Sequence, residues 1–214
     1  MKARKFSVEH FSKLLPAVSD YIGNTAPWRY PSTAELLQSA AHQSKNFQNR
    51  EVLVEVLLEQ HAHLAQGSLV LQHIEALKSE RTCTITTGHQ LSVFGGPLFM
   101  ASKILSVVRC AAEMNHIQDD FRFVPLFWMA SEDHDFKEIQ TVNWRSHSWM
   151  WQHGQAACVG ELTTENLDEG WAWLFEQCRD TERDMLEKLR QVASAPDYAV
   201  SFQRIVLQIG RAHV

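Results

Sequence analysis

Cysteine is scarce in this chain: four residues in 214, and no two of them form a CxxC pair. That spacing excludes a zinc knuckle and a thioredoxin-like redox pair. Cys83, Cys110, Cys158 and Cys178 are therefore expected to be small buried apolar side chains in a reducing cytosol. Long hydrophobic runs are missing too, and no uninterrupted apolar stretch is of a length to cross a bilayer. The opening MKARKFSVEHF is basic but lacks the apolar segment of a signal peptide. Positive charge is the minority sign, with 20 Lys and Arg against 25 Asp and Glu and a net charge of -5. Nucleic-acid partners call for a basic surface, so this balance argues against them. Two phosphate-binding signatures are absent as well. No GKS or GKT closes a Walker A loop, and no GxGxxG spacing marks a dinucleotide fold. The expectation is a soluble, cytoplasmic protein with no membrane or nucleic-acid partner.

What is present supports a packed globule. Hydrophobic residues make up 45% and charged residues 21%, which provides a core and excludes disorder. The length fits one domain, or one domain with an appendage. Six of the seven tryptophans fall late: Trp128, Trp144, Trp149, Trp151, Trp171 and Trp173. Packing beneath loops is their expected role, and a stacking platform for a base or sugar is the alternative.

Residues 1–31 hold Pro16, Gly23-Asn24, Pro27 and Pro31, and read as irregular with a short helix near 7–15. Ser32 or Thr33 can cap a helix with Glu35 in its first turn. Helical periodicity runs from there to about residue 78, divided in two at Gly67-Ser68. The β-branched TCTITT, 82–87, predicts a strand. The loop GHQLSVFGGP follows, and Pro97 opens a helix whose apolar face is read as Leu98, Ala101, Leu105, Val108 and Ala112. A second strand spans Phe121 to Ala130, apolar enough to be covered on both faces. Strand, helix, strand makes a parallel βαβ unit. Beyond it, a helix is expected from Ser131. Strands are expected near 141–151 and 156–162, then helices over 166–192 and 197–208.

Two polar clusters end the two strands. One is Thr87-Gly88-His89-Gln90 and the other Ser131-Glu132-Asp133-His134-Asp135. Ligands in open α/β sheets bind outside the carboxyl ends of the strands, so adjacent parallel strands would bring both clusters to one cleft. Gly88, Gly95 and Gly96 permit close backbone approach. The helix after Pro97, with Lys103 in its first two turns, would offer free N–H groups to an anion. The acid cluster admits three active readings: metal ligation by His134 with carboxylates, capture of ammonium or hydroxyl groups by Asp133 and Asp135, and general-base chemistry at His134. A fourth reading is a solvated helix start whose acids offset the macrodipole.

The segments TTGHQLSVFGGPLFMASKI and VPLFWMASEDHDFKEIQTV together resemble the bacillithiol biosynthesis cysteine-adding enzyme family, BshC. The family's TGxQ, GP and VPxFWxAxEDHDxxE patterns fall here on Thr87 to Gln90, Gly96-Pro97 and Val124 to Glu138. His89 departs from the glutamine of many members. The resemblance implies an α/β, Rossmann-like, nucleotidyltransferase-like parallel sheet core, numbered 81–208, with an N-terminal helical segment, 1–80, packed on it. It also implies that a C-terminal coiled coil used in homodimerisation is missing. Residues 209–214, IGRAHV, back-translate to a common sequencing-adapter read-through, so this tail is expected to be artefactual and the gene to continue past Gln208.

The implied activity is that of a ligase joining L-cysteine to glucosaminyl malate by an amide, in the last step of bacillithiol synthesis. ATP or another nucleotide would activate the carboxylate, and no metal is assigned. Catalytic roles fall to His134, Asp133 and Asp135. Substrate or nucleotide binding falls to Thr87, Gly88, His89, Gln90, Gly95, Gly96, Pro97, Ser131 and Glu132. The alternatives are a different nucleotide-dependent transferase and an inactive fragment.

Overall fold

The computed structural model describes residues 32–154 and 157–211, so the helix expected near 7–15 lies outside the described residues. Helix α1, Thr33–Asn46, starts where the capping signal stood. The Ser32 hydroxyl accepts from the Glu35 amide, and the Ser32 amide donates to the Glu35 carboxylate at 2.7 Å. Helices α2, Arg50–Gln60, and α3, Leu69–Ala76, follow. The expected break at Gly67-Ser68 is there, with Gly67 at a φ of 76°. A second break at Phe47 to Asn49 makes three helices where the sequence pattern predicts two. There the Asn46 side chain turns back onto the His42 carbonyl at 3.1 Å and competes with the helix ladder. Arg50 then donates to the carbonyls of Leu77 and Thr82, which ties α2 to the start of the sheet.

Strands β1, Thr82–Gln90, and β2, Arg122–Ala130, pair in parallel, from Thr82 opposite Arg122 to Gln90 opposite Ala130. Helix α4, Leu98–Ile117, connects them, with Pro97 just before its first turn. The buried face of α4 is Met100, Ile104, Ala111 and Met114, not the row led by Leu98, which is 86% exposed. Both rows repeat at helical spacing, and sequence alone does not say which one the sheet selects. Asn115 clamps the return into β2, accepting from the Phe123 amide at 2.7 Å and donating to its carbonyl at 2.8 Å.

At its start the sheet is covered on both faces, with Phe123 among Ala40, Ala111 and Met114, and Val124 among Val54, Ile74 and Leu77. At the carboxyl end it is not: Trp128 is 60% exposed, against the expectation of two covered faces. Among the described residues, no helix is long and apolar enough to cross a membrane.

The segment 131–135 is turn rather than helix, and α5 is the short Phe136–Ile139. Strands β3, Thr141–Trp144, and β4, His147–Met150, form an antiparallel hairpin apart from the main sheet. The strand expected at 156–162 is instead a 3-10 turn, Val159–Glu161. The helix expected over 166–192 is two, α6, Leu167–Gln177, and α7, Asp180–Ala193. They part at Arg179, whose extended backbone lets its amide donate to Glu182 at 2.8 Å and begin a new helix. Helix α8, Tyr198–Arg211, closes the order.

The main core gathers Leu91 and Val93 from the loop after β1, Met100 and Ile104 from α4, Trp151, Leu162, and Tyr198 and Phe202 from α8. Trp151 is fully buried and satisfies its indole N–H on the Glu165 carbonyl at 2.7 Å. Burial of each such side chain contributes about 1.5–3 kcal/mol. Packing is thus the role of Trp151, as it is of Trp171, which lies 4.2 Å from the Phe94 ring centroid. This core fixes the loop after β1 from beneath and so positions the strand ends above it.

Candidate functional site

Parallel pairing sets the geometry. Gly88, His89 and Gln90 stand opposite Trp128, Met129 and Ala130, so both strands finish at one edge. The side-chain amide of Gln90 donates to the Asp133 carboxylate, joining the two polar clusters directly. The second carboxylate oxygen of Asp133 accepts from the Asp135 amide at 3.1 Å, an Asx-type turn that holds 133–135 out of helix. These bonds, that from Gln90 foremost, hold the Asp133 carboxyl below the usual aspartate range by stabilising its charged form.

Asp133 therefore presents a fixed carboxylate. Its neighbour His134 is exposed, and Nε2 lies 3.1 Å from the Cys158 sulfur. The strand of chain that carries Cys158 is sewn to the acid cluster by two backbone bonds. The Val159 amide donates to the Asp133 carbonyl at 2.7 Å and the Gly160 amide to the Ser131 carbonyl at 2.8 Å. Glycine is required at 160, because a Cβ there would stand 2.5 Å from the Ser131 Cβ.

On the other side, Lys103 donates to the Gly88 carbonyl, and its ammonium lies 5.4 Å from the Phe99 ring centroid. That bond brings a cation from α4 to the end of β1. His89 Nδ1 lies 2.9 Å from the Gln90 carbonyl, and the Ser92 hydroxyl is 3.4 Å from the same oxygen. Gly96 adopts a φ of 68°, and a Cβ on it would come within 2.6 Å of the Ser92 Cβ.

The structure thus brings together Gly88, Gln90, Ser131, Asp133 and His134, with His89 beside them. Thr87 is half-buried within β1 opposite Phe127. Glu132 and the Asp135 side chain lie exposed on the rim, and Gly96 and Pro97 are exposed at the start of α4. Gly95 is buried, and a Cβ built on it would lie 3.0 Å from the Ile205 side chain on α8. Among the described residues no three His, Cys, Asp or Glu side chains group to hold a metal ion, so the metal-ligand reading of the acid cluster has no ligand set there.

Sequence reasoning missed Cys158. All four cysteines are partly exposed rather than buried, and Cys158 alone meets an imidazole among the described residues. Its distance of 24 residues from His134 leaves no local signal.

Comparison with known proteins bears on the same segments. Residues 13–212 match the family model described as "Bacillithiol biosynthesis BshC, N-terminal Rossmann-like domain". Curated relatives bearing the name "Putative cysteine ligase BshC" share this similarity. One from Flavobacterium johnsoniae is 36% identical over 167 residues, 75% of this chain and 31% of its own length. One from Cytophaga hutchinsonii is 43% identical over 140 residues, 65% of this chain and 27% of its own. One from Bacillus cytotoxicus is 30% identical over 171 residues, 75% of this chain and 32% of its own. The chain covers less than a third of the length of these relatives.

Proposed function

The chain belongs to the BshC family through its N-terminal Rossmann-like domain, and from that premise we propose that it carries part of the site of a ligase joining L-cysteine to glucosaminyl malate, the last step of bacillithiol synthesis. The observation that carries this reading is the Gln90 to Asp133 hydrogen bond, which unites the two family segments at one sheet edge.

Amide formation needs an uncharged amine and an activated carboxylate. In the proposed scheme ATP or another nucleotide activates the cysteine carboxylate as an acyl phosphate or acyl adenylate. Asp133, kept ionised, and Asp135 hold the ammonium and hydroxyl groups of the amino sugar. His134 takes the proton that the ammonium must lose before it can attack. The N-terminal amides of α4 and the ammonium of Lys103 favour an anionic group, phosphate or malate carboxylate, at the end of β1. His89 and Gln90 orient it. A homodimer built on a coiled coil belongs to the same proposal for the full-length protein, with the remaining length supplying the rest of the cleft.

The test uses the full-length protein. It is incubated with cysteine, glucosaminyl malate and each nucleoside triphosphate in turn, and the thiol product is sought by mass spectrometry. Product dependent on one nucleotide supports the ligase and names its energy source. A folded protein that yields none overturns it in favour of another nucleotide-dependent transferase.

A further inference from the structure

The Cys158 thiol and the His134 imidazole are a nucleophile and a base within hydrogen-bond reach, at 3.1 Å, on a face open to solvent. We propose that Cys158 is a thiol–disulfide exchange site, that it takes small disulfides, and that His134 is the group that accepts its proton. The inference does not depend on the ligase reading.

The fold fixes this pair rather than leaving it to chance contact. The two backbone bonds from Val159 and Gly160 lock the Cys158 loop onto the segment that carries His134. The close fit of Gly160 over Ser131 removes any room for sliding between them. The other three cysteines are placed for packing. The Cys83 thiol points at the Ala40 carbonyl, 3.8 Å away, and burial pushes its pKa up. Burial does the same to Cys178. Cys110 lines the apolar cavity behind β1, beside Met114 and Phe123. A thiol reacts as its thiolate, so a raised pKa makes Cys83 and Cys178 slow, while an adjacent base makes Cys158 fast.

The chemistry balances without a further oxidant. The Cys158 thiol passes its proton to Nε2 of His134. The thiolate sulfur bonds to one sulfur of the incoming disulfide, whose S–S bond breaks. The departing thiolate carries the electron pair of that bond and takes the proton from the imidazolium. One disulfide is consumed and one mixed disulfide forms. The adduct then sits on His134, against the segment whose Asp133 carbonyl accepts from the Val159 amide, and covers that part of the cleft until a thiol reverses it.

The probe is 5,5′-dithiobis(2-nitrobenzoate), added below stoichiometry to the full chain, with each cysteine followed by peptide mass mapping. Cys158 should be labelled at least about ten-fold faster than Cys83, Cys110 and Cys178 in the same molecules. In His134→Gln the rate at Cys158 should fall about ten-fold, toward that of the other three. Unchanged rates at those three show that the variant keeps its fold, and His134→Asn supplies a second replacement for the same comparison. Equal rates at all four cysteines in the unmodified chain would overturn the proposal, and so would a Cys158 rate that neither replacement lowers.

Discussion

Gln90 and Asp133 are 43 residues apart in the chain and meet through a single hydrogen bond, side-chain amide to carboxylate, at the shared end of two parallel strands. This contact turns two separate polar clusters into one site. It also lowers the affinity of Asp133 for protons, because it stabilises only the charged form.

A carboxyl whose folded pKa lies below its unfolded one stabilises the fold above the unfolded value and loses that contribution as pH falls through the folded value. For Asp133 the contribution should be present above about pH 4 and fade below it. Gln90→Leu removes the leading cause, so the Asp133 titration, followed by carboxyl carbon NMR, should move upward toward that of a free aspartate. A titration that stays in place would show that the Asp135 amide suffices alone.

Asp133→Ala and His134→Ala should each lower turnover of the full-length enzyme by about 100- to 10,000-fold, the range spanned by general acid–base groups. The His134 side chain is exposed, so its replacement should shift the unfolding free energy by no more than about 0.5 kcal/mol, whereas Asp133→Ala also loses the bonds from Gln90 and the Asp135 amide and should lower stability measurably above about pH 4. Steady-state kinetics beside a denaturant titration separates the two effects. Full turnover in either variant would remove that residue from the proposed chemistry.

Gly160→Ala should destabilise the fold by about 1–3 kcal/mol, since the added methyl must displace the Ser131 backbone or side chain. A Cβ at 160 would lie 2.8 Å from the Ser131 carbonyl oxygen, the atom that accepts the Gly160 amide. Urea unfolding of the two chains measures it. An unchanged midpoint would mean that the seam between the 158–160 loop and the acid cluster yields freely.

Tyr198→Phe should be neutral or should stabilise by up to about 1 kcal/mol, because it removes a buried hydroxyl that has no partner. Tyr198 is 2% exposed, and its oxygen finds no hydrogen bond among the described residues. Burial also drives the hydroxyl pKa far upward, so it stays protonated at any working pH. By contrast Trp151→Ala, in the ring pair with Tyr198, should cost about 3–5 kcal/mol. Thermal unfolding ranks the two, and a marked loss in Tyr198→Phe would reveal a partner for the hydroxyl.

The strands and their polar ends were legible because their signals are local. TCTITT is β-branched, Val124 to Ala130 is apolar, and a helix of the right period lies between them, so a parallel βαβ unit follows from the chain alone. Ser32 and Glu35 likewise mark a helix start, because a capping box is complete within four residues.

The misreadings have a different physical origin. Two apolar rows run along α4, and only contact with the sheet decides that Met100 and Ile104 go inside while Leu98 faces out. The acids after Ser131 looked like a helix start, yet the Asp133 carboxylate captures the Asp135 amide and Gln90 captures the carboxylate, so the turn outcompetes the helix. Arg179 splits a continuous helical pattern because a new cap forms within it.

Composition, periodicity and the two motif segments determined that this chain is an α/β protein of the BshC family with polar clusters at its strand ends, since each of those signals is written in neighbouring residues. Tertiary structure alone decided that Gln90 clasps Asp133, that Lys103 closes on Gly88, and that Cys158 comes to His134. Those contacts join residues from 15 to 43 positions apart. No period or spacing records them, because they exist only once the buried core has fixed where each loop must pass.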